Sequence, residues 1–204
     1  MSTKHWTRCR VVSGLVALSL CVDAPRMLAG QGAALSSKEQ AADAAAFKAF
    51  SGRVQAYLEL QKTIASSLPT LKSTDLPEMI TAYQQALARK IREARPQAKP
   101  GDIFTPAARE AFRHASRAAL GGPHSANSRA YMQPDAASPG MRLAVNGIYP
   151  DTEPTTAFPP MLLAAFPALP VEVAYRVVGR TLIVIDVKSR LIVDVAHLIL
   201  PPAS

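Results

Sequence analysis

The chain has 204 residues, a formal net charge of +8 at neutral pH and only two cysteines. This length allows one domain with a hydrophobic core, or two small ones. The cysteine count excludes a disulfide-rich scaffold, and the basic residues are spread along the chain, which does not favour a nucleic-acid-binding protein.

The beginning of the chain, 1–30, predicts a secretory signal peptide. Three basic residues precede an apolar run of 12 residues, Val11 to Val22, and small residues follow it. This order is typical of secretory signals, and the run is shorter than the roughly 20 residues that a membrane span takes. We therefore expect export to the periplasm or the extracellular space, with cleavage between Ala29 and Ala34. A buried core helix is the alternative.

Cleavage would change the charge and the chemistry of the mature chain. Removal of residues 1–30 leaves 19 basic and 14 acidic residues, a formal charge of +5, and no cysteine. Disulfides and cysteine-based metal sites are then excluded. No transmembrane span is expected in the mature chain. Outside the cytoplasm, this charge favours anionic envelope surfaces over nucleic acid as a partner.

Residues 36–120 predict three helices. Ser36 and Glu39 form a capping-box pattern at the start of the first. Thr105-Pro106 opens the third helix, which ends at Gly121, and an acidic cap at Asp75 is expected for the second. The first helix has an apolar stripe at spacings of three and four, formed by Phe47, Phe50, Val54, Tyr57, Gln61 and Ile64. Because a single helix cannot bury its own apolar stripe, we expect the three helices to pack together as an antiparallel three-helix unit.

Residues 121–170 predict a proline-rich connector. Nine of the 17 prolines lie in this stretch. Proline disfavours long helices and central strands, so an extended connection is expected. A short strand over 142–149, with a turn at Asn146-Gly147, is the one regular element predicted within it.

Residues 171–200 predict a small antiparallel sheet, which makes the fold class α+β. Two β-branched runs, Val173 to Val178 and Thr181 to Val187, flank Gly179-Arg180, a pair that suits a type II′ hairpin. In that register Tyr175 faces Val184. A third strand is expected from Leu191 to Val195. We expect Asp194 on the face of Arg176, where an ion pair could set the register.

The segment from Tyr175 to Val195 resembles the terminal hairpin of the periplasmic nickel/cobalt-homeostasis regulator family. The shared features are a tyrosine-led strand, the Gly179 turn, an aliphatic strand ending in Asp186, and a strand with Val-Asp at Asp194. The whole chain also resembles uncharacterised exported bacterial proteins, through Gly101 to Pro106 and Asn146 to Pro150. The first resemblance implies a related hairpin and raises metal handling as a function, and the second implies no function.

Candidate metal and catalytic residues are few. His114, His124 and His197 lie in three separate segments without a metal-ligand spacing, so no metal site or cofactor is predicted. No serine lies in a nucleophile elbow, and no enzymatic activity is predicted. Asp186 and Asp194 could act as carboxylate bases if buried together. A structural role is the alternative: an acid near a turn, and an edge charge that blocks aggregation.

The third predicted helix carries Arg109, Arg113 and Arg117 at a strict spacing of four residues. Such a ridge could contact lipid head groups, an anionic polysaccharide or an acidic protein face, and a solvated helix face is the alternative. Arg92 and Arg95 belong to a second basic cluster, at the end of the second helix. The sequence thus favours an exported, non-enzymatic interaction or envelope-accessory protein. The alternative is a periplasmic metal-homeostasis protein of nickel/cobalt type.

Overall fold

The computed structural model describes residues 35–70, 76–121, 143–150 and 158–201. The described helices are α1 (Ser37–Ser66), α2 (Pro77–Ala94), α3 (Pro106–Leu120) and α4 (Pro160–Ala165), and the strands are β1 (Val173–Val178), β2 (Thr181–Asp186) and β3 (Ile192–Ala196). The predicted α+β class is confirmed. The described ranges hold four helices, so the predicted three-helix unit is not confirmed. The predicted signal peptide lies outside the described residues.

The helix starts follow local chemistry. Ser36 caps α1 with a reciprocal capping box, in which Glu39 Oε2 accepts the Ser36 N–H at 2.8 Å. Thr105 caps α3 by accepting the Ala108 N–H, as its sequence predicted. The N-cap position of α2 is Leu76, whose side chain makes no capping hydrogen bond, and Asp75, the predicted acidic cap, lies outside the described residues. The fixed φ of Pro77 at the first helical position is what starts this helix.

The connector contributes to the core instead of only crossing the surface. Helix α4 lies within the stretch predicted to be extended, and Leu162 and Phe166 are buried with the helices. Proline at the first position of α4 needs no hydrogen bond, which is why a proline-rich stretch can still start a short helix. None of the helices in the described ranges is long and apolar enough to cross a membrane.

The sheet has the strand order β1-β2-β3 and is antiparallel throughout. Tyr175 pairs with Val184, as predicted, and only the first residue of the hairpin loop, Gly179, has positive φ (58°), as a type II′ turn requires. The register between β2 and β3 shifts near Val184. One extra residue, Val193, is accommodated there as a bulge.

This bulge overturns the predicted position of Asp194. Pairing that starts at Ile185–Ile192 would, without a bulge, place Asp194 opposite Ile183 and therefore on the face of Arg176. The extra residue instead places Asp194 opposite Val184. Directly opposed residues share a face, so Asp194 lies on the face of Tyr175, and the expected ion pair with Arg176 is not formed.

The helices cover one face of the sheet. The ring centroid of Phe112 on α3 lies 4.9 Å from that of Phe50 on α1, 4.7 Å from that of Phe166 and 6.0 Å from that of Tyr175 on β1. Helices and sheet therefore share one core. Such aromatic pairs add about 0.5–1.5 kcal/mol each beyond the burial of their area.

Residues 143–150 pack on the other face of the sheet and bond the start of the outer edge of β3. Tyr149 packs with Ile183, Ile185, Ile192 and Val195. Asn146 N–H donates to the Ile192 carbonyl, and Ile192 N–H donates to Gly147, both at 2.8 Å. Instead of the predicted strand, this segment forms a single antiparallel β-bridge, between Ile148 and Leu191. Its turn spans Ala144 to Gly147. Asn146 adopts φ 63° in that turn.

Candidate functional site

Asp186 anchors the end of β2 to α1. One carboxylate oxygen accepts the Tyr57 hydroxyl at 2.6 Å and the Gln61 amide at 2.8 Å. The other accepts the N–H groups of Lys188 and Ser189 at 2.8 and 3.0 Å, which holds the turn after the strand. Burial, and then the nearby Asp186 charge, raise the pKa of the Tyr57 phenol far above its ordinary value. The phenol therefore keeps its proton and donates a hydrogen bond to Asp186.

Asp194 anchors β3 to the loop between α2 and α3. Its Oδ2 accepts the N–H groups of Ile103 and Phe104, each at 2.7 Å. Its Oδ1 accepts the N–H of Gly101 at 3.0 Å and that of Val195 at 2.7 Å. The side chain is fully buried, so the expected role as an exposed edge charge is wrong.

The hydrogen bonds of Asp186 and Asp194 therefore indicate a structural anchoring role more than that of catalytic bases. Both lie on the helix-covered face of the sheet, and each has its own set of donors from a different part of the chain. A general base needs access to a substrate proton. Both carboxylates are fully buried in the described core, and their oxygens are already occupied by four hydrogen bonds each.

The arginine ridge of α3 is partly engaged within the chain. Arg117 is exposed, whereas Arg109 and Arg113 are half-buried. Arg113 Nη1 lies 2.6 Å from Glu110 Oε2, and its Nε donates to the Leu198 carbonyl at 3.3 Å. The Arg113 hydrogen bond lowers the pKa of Glu110. Binding of an anionic surface by the three arginines stays a prediction.

The basic end of α2 has an internal role. Arg92 Nε donates to the Asn146 carbonyl at 2.8 Å. The Arg95 guanidinium lies 5.0 Å from the ring centroid of Tyr57, and its Nη2 reaches the Val193 carbonyl at 3.4 Å. These contacts tie α2 to α1, to the 143–150 segment and to β3.

The histidines do not converge. His114 Nδ1 lies 2.9 Å from Asp43 Oδ2, and its Nε2 lies 3.2 Å from Glu110 Oε1, so the ring bridges α1 and α3. His197 Nδ1 lies 3.2 Å from Thr181 Oγ1. His124 is outside the described residues. In the part of the chain that the structure describes, no group of three or more histidine, cysteine or acidic residues could hold a metal ion.

The outer edge of β1 is open. Val178 and Thr181 flank the two-residue turn and form a hydrogen-bonded pair, and pairs then alternate along the ladder. Val173, Tyr175 and Val177 therefore direct their N–H and C=O groups away from β2. The Val173 N–H donates to Pro170 at 3.1 Å, and the Tyr175 carbonyl accepts Arg176 Nη1 at 2.8 Å. No strand of the described chain pairs with this edge.

An apolar groove of about 220 Å³ runs beside this edge. Its described lining comes from β1, from α4, from the segment joining them and from Phe158, which precedes α4: Phe158, Leu163, Leu169, Pro170, Val171, Val173, Ala174, Tyr175 and Arg176. Val171 is 89% exposed and Leu163 is 54% exposed. The edge and the groove together form what we call the β1 groove, and it can accept an extended chain with apolar side chains.

Sequence reasoning did not find the β1 groove. The sequence predicts the strand itself, Val173 to Val178. Which edge stays open depends on contacts distant in sequence, since the 143–150 segment bonds Ile192 at the start of β3 and Arg95 donates to the Val193 carbonyl. The one local signal was the run Leu169-Pro170-Val171, with two apolar residues around a proline directly before β1.

A larger cleft, of about 390 Å³, lies where α1 ends and α2 begins. Its lining includes Tyr83, Gln84 and Lys188. Lys188 is the one charged side chain among its described lining residues.

Comparisons with known proteins give no relative for this chain. No protein-family model, no curated protein and no solved structure matches it.

Proposed function

We propose that the protein is an exported, non-enzymatic interaction protein of the bacterial cell envelope, which binds a partner protein through the β1 groove. The observation that carries this proposal is the open outer edge of β1 beside exposed apolar side chains. Addition of an extended segment to such an edge is a common mode of protein recognition.

The contrast between the two edges of the sheet supports this proposal. At the start of β3, Ile192 exchanges hydrogen bonds with Asn146 and Gly147, and further along the edge Arg95 Nη2 donates to the Val193 carbonyl and the Val195 N–H donates to Asp194 Oδ1. Among the described residues, the edge of β1 has only the Pro170 and Arg176 contacts. Open edges invite aggregation unless they are blocked by charge, by proline or by a partner. An edge left open next to Val171, which is 89% exposed, is therefore consistent with a binding surface.

The chemistry of the described residues also supports binding over catalysis. The buried acids hold the fold together, and His114 bridges two helices. The alternative of nickel or cobalt handling rests on the resemblance of the hairpin, and the described residues add no ligand set to it. Contact of Arg109, Arg113 and Arg117 with an anionic envelope surface is a second, independent part of the interaction hypothesis.

Site-specific photo-crosslinking in cells tests the proposal. A photoreactive amino acid at Val171 should trap a partner, whereas the same amino acid at Lys48, exposed on α1, should trap none. The trapped protein, purified separately, should then bind the purified chain, and Val177→Pro should weaken that binding. Cell fractionation should recover the chain outside the cytoplasm, about 30 residues shorter. Equal trapping at both positions, or a chain that stays in the cytoplasm, would refute the proposal.

A further inference from the structure

The chemistry of the β1 groove indicates what kind of segment it binds. We infer that the partner presents an extended segment in which an acidic side chain lies between two apolar ones, and that this segment adds to β1 as an antiparallel fourth strand. The inference rests on the proposed function, because it names the partner chemistry at the same edge.

The backbone of β1 offers a ladder for such a strand. Tyr175 and Val177 direct their N–H groups outward, and Val177 also directs its carbonyl outward. The Tyr175 carbonyl accepts a hydrogen bond from Arg176 Nη1 at 2.8 Å, which a partner N–H can replace. A partner strand can take over that carbonyl, and the guanidinium is then released next to it.

Arg176 supplies the charge that selects an acid. Its side chain is half-buried, and its Nε is buried with no hydrogen-bond partner among the described residues. A buried guanidinium N–H without a partner is unfavourable, and a carboxylate can satisfy two guanidinium N–H groups at once. No ion pair between described residues includes Arg176; Glu172, the acid on the same face, lies four residues away along the chain, about 13 Å.

The alternation of side chains along a β-strand determines which partner residues face Arg176 and which face the groove. The partner residue opposite Arg176 lies on the same face as Arg176, with Cβ atoms about 4.5–5.5 Å apart. Its two neighbours point to the other face, where Phe158, Leu169 and Tyr175 line the groove. An apolar–acidic–apolar sequence therefore places the acidic side chain next to Arg176 and the two apolar side chains against the groove.

Other occupants fit less well. A second copy paired through β1 would bring two Arg176 side chains to within about 8 Å on one face, and like charges at that spacing are unfavourable. An anionic lipid or polysaccharide could pair with Arg176, but it offers no strand backbone for the N–H groups of Tyr175 and Val177.

Peptide binding to the full chain, measured by fluorescence anisotropy, tests this inference. The probe is a labelled, capped seven-residue peptide of sequence Val-Thr-Val-Glu-Val-Thr-Val, and the matched probe has Gln in place of Glu. The Glu peptide should bind about tenfold more tightly than the Gln peptide. Arg176→Gln should reduce this ratio to about one. Arg180→Gln is the control, since Arg180 lies in the hairpin turn and donates to Leu200.

Val177→Pro removes an outward N–H without removing a bond to β2, so it should abolish binding of both peptides. Because Val177 also packs against the core, circular dichroism at the assay temperature checks that the variant is folded. Equal binding of the two peptides would refute the role of Arg176 and leave edge binding intact. Failure of both peptides, with a partner still trapped at Val171, would refute the acidic strand but not the proposed function. If the chain forms a dimer that Val177→Pro dissociates, the occupant of the edge is a second copy instead of the inferred partner. If vesicles of anionic phospholipid compete with the peptide and Arg176→Gln removes this competition, the occupant is a membrane surface.

Discussion

Tyr57 donates its phenolic hydrogen to Asp186 across 2.6 Å, and this bond joins the middle of α1 to the end of β2. The two residues are 129 positions apart in the chain. The bond therefore links the helical and the β parts of the fold.

Loss of this bond should destabilise the protein. Tyr57→Phe removes one donor to a buried carboxylate, and hydrogen bonds to charged groups contribute about 1.5–3 kcal/mol. Because Gln61 and two backbone N–H groups still satisfy Asp186, we expect a loss of about 1.5 kcal/mol in the free energy of unfolding, measured by urea denaturation. Tyr83→Phe, at a half-exposed position, is the matched control and should cost under about 0.5 kcal/mol. Equal losses would contradict the role assigned to Tyr57.

Asp194→Asn should be more severe. Four N–H groups point at the Asp194 carboxylate, and an asparagine amide offers one acceptor oxygen and places its own N–H groups against the remaining donors. We expect a loss of about 3 kcal/mol or a failure to fold, read from urea denaturation and from the yield of folded chain. Asp102→Asn is the control, because Asp102 is only half-buried and accepts a single N–H from Lys99. A loss no larger than that of the control would refute the anchoring role.

Stability should fall at alkaline pH. Burial raises the pKa of the Tyr57 and Tyr175 phenols above the ordinary value of about 10. The folded state therefore keeps protons that the unfolded state loses, so this contribution is complete below about pH 10 and is lost as the pH rises through the folded values. Unfolding free energies measured from pH 8 to 11 should decline above about pH 10. The decline should be smaller in a Tyr57→Phe, Tyr175→Phe double variant, and an unchanged decline would contradict this origin.

The two turn glycines should differ in their response to alanine. Gly179 has φ 58° with no atom near an added Cβ, so Gly179→Ala costs only backbone strain, about 1 kcal/mol. An added Cβ at Gly147 would lie 2.8 Å from the Ala144 carbonyl oxygen, which is backbone and cannot move aside, so we expect about 1–3 kcal/mol. Thermal unfolding should show the larger shift for Gly147→Ala, and Gly179→Asn should be milder than Gly179→Ala. The reverse order would contradict the turn geometry.

Local patterns were enough to predict most of the elements. The stripe on α1 placed Phe50, Val54 and Tyr57 in the core, because a period of 3.6 residues puts them on one helical face. The Gly179 turn fixed the pairing of Tyr175 with Val184, because a two-residue loop leaves one register. The sequence does not predict the short helix α4, because proline breaks the interior of a helix, whereas Pro160 stands at its first position, where proline is tolerated.

The sequence by itself thus determined the α+β class, three of the four described helices and the pairing of the hairpin, since each depends on residues close together in the chain. The tertiary structure alone decided which face of the sheet Asp194 occupies and which edge of the sheet stays open. A bulge at Val193 turned that carboxylate toward the N–H groups of Ile103 and Phe104, and the 143–150 segment bonded Ile192 at the start of the β3 edge. Both outcomes depend on hydrogen bonds between residues more than 40 positions apart, which no local pattern encodes.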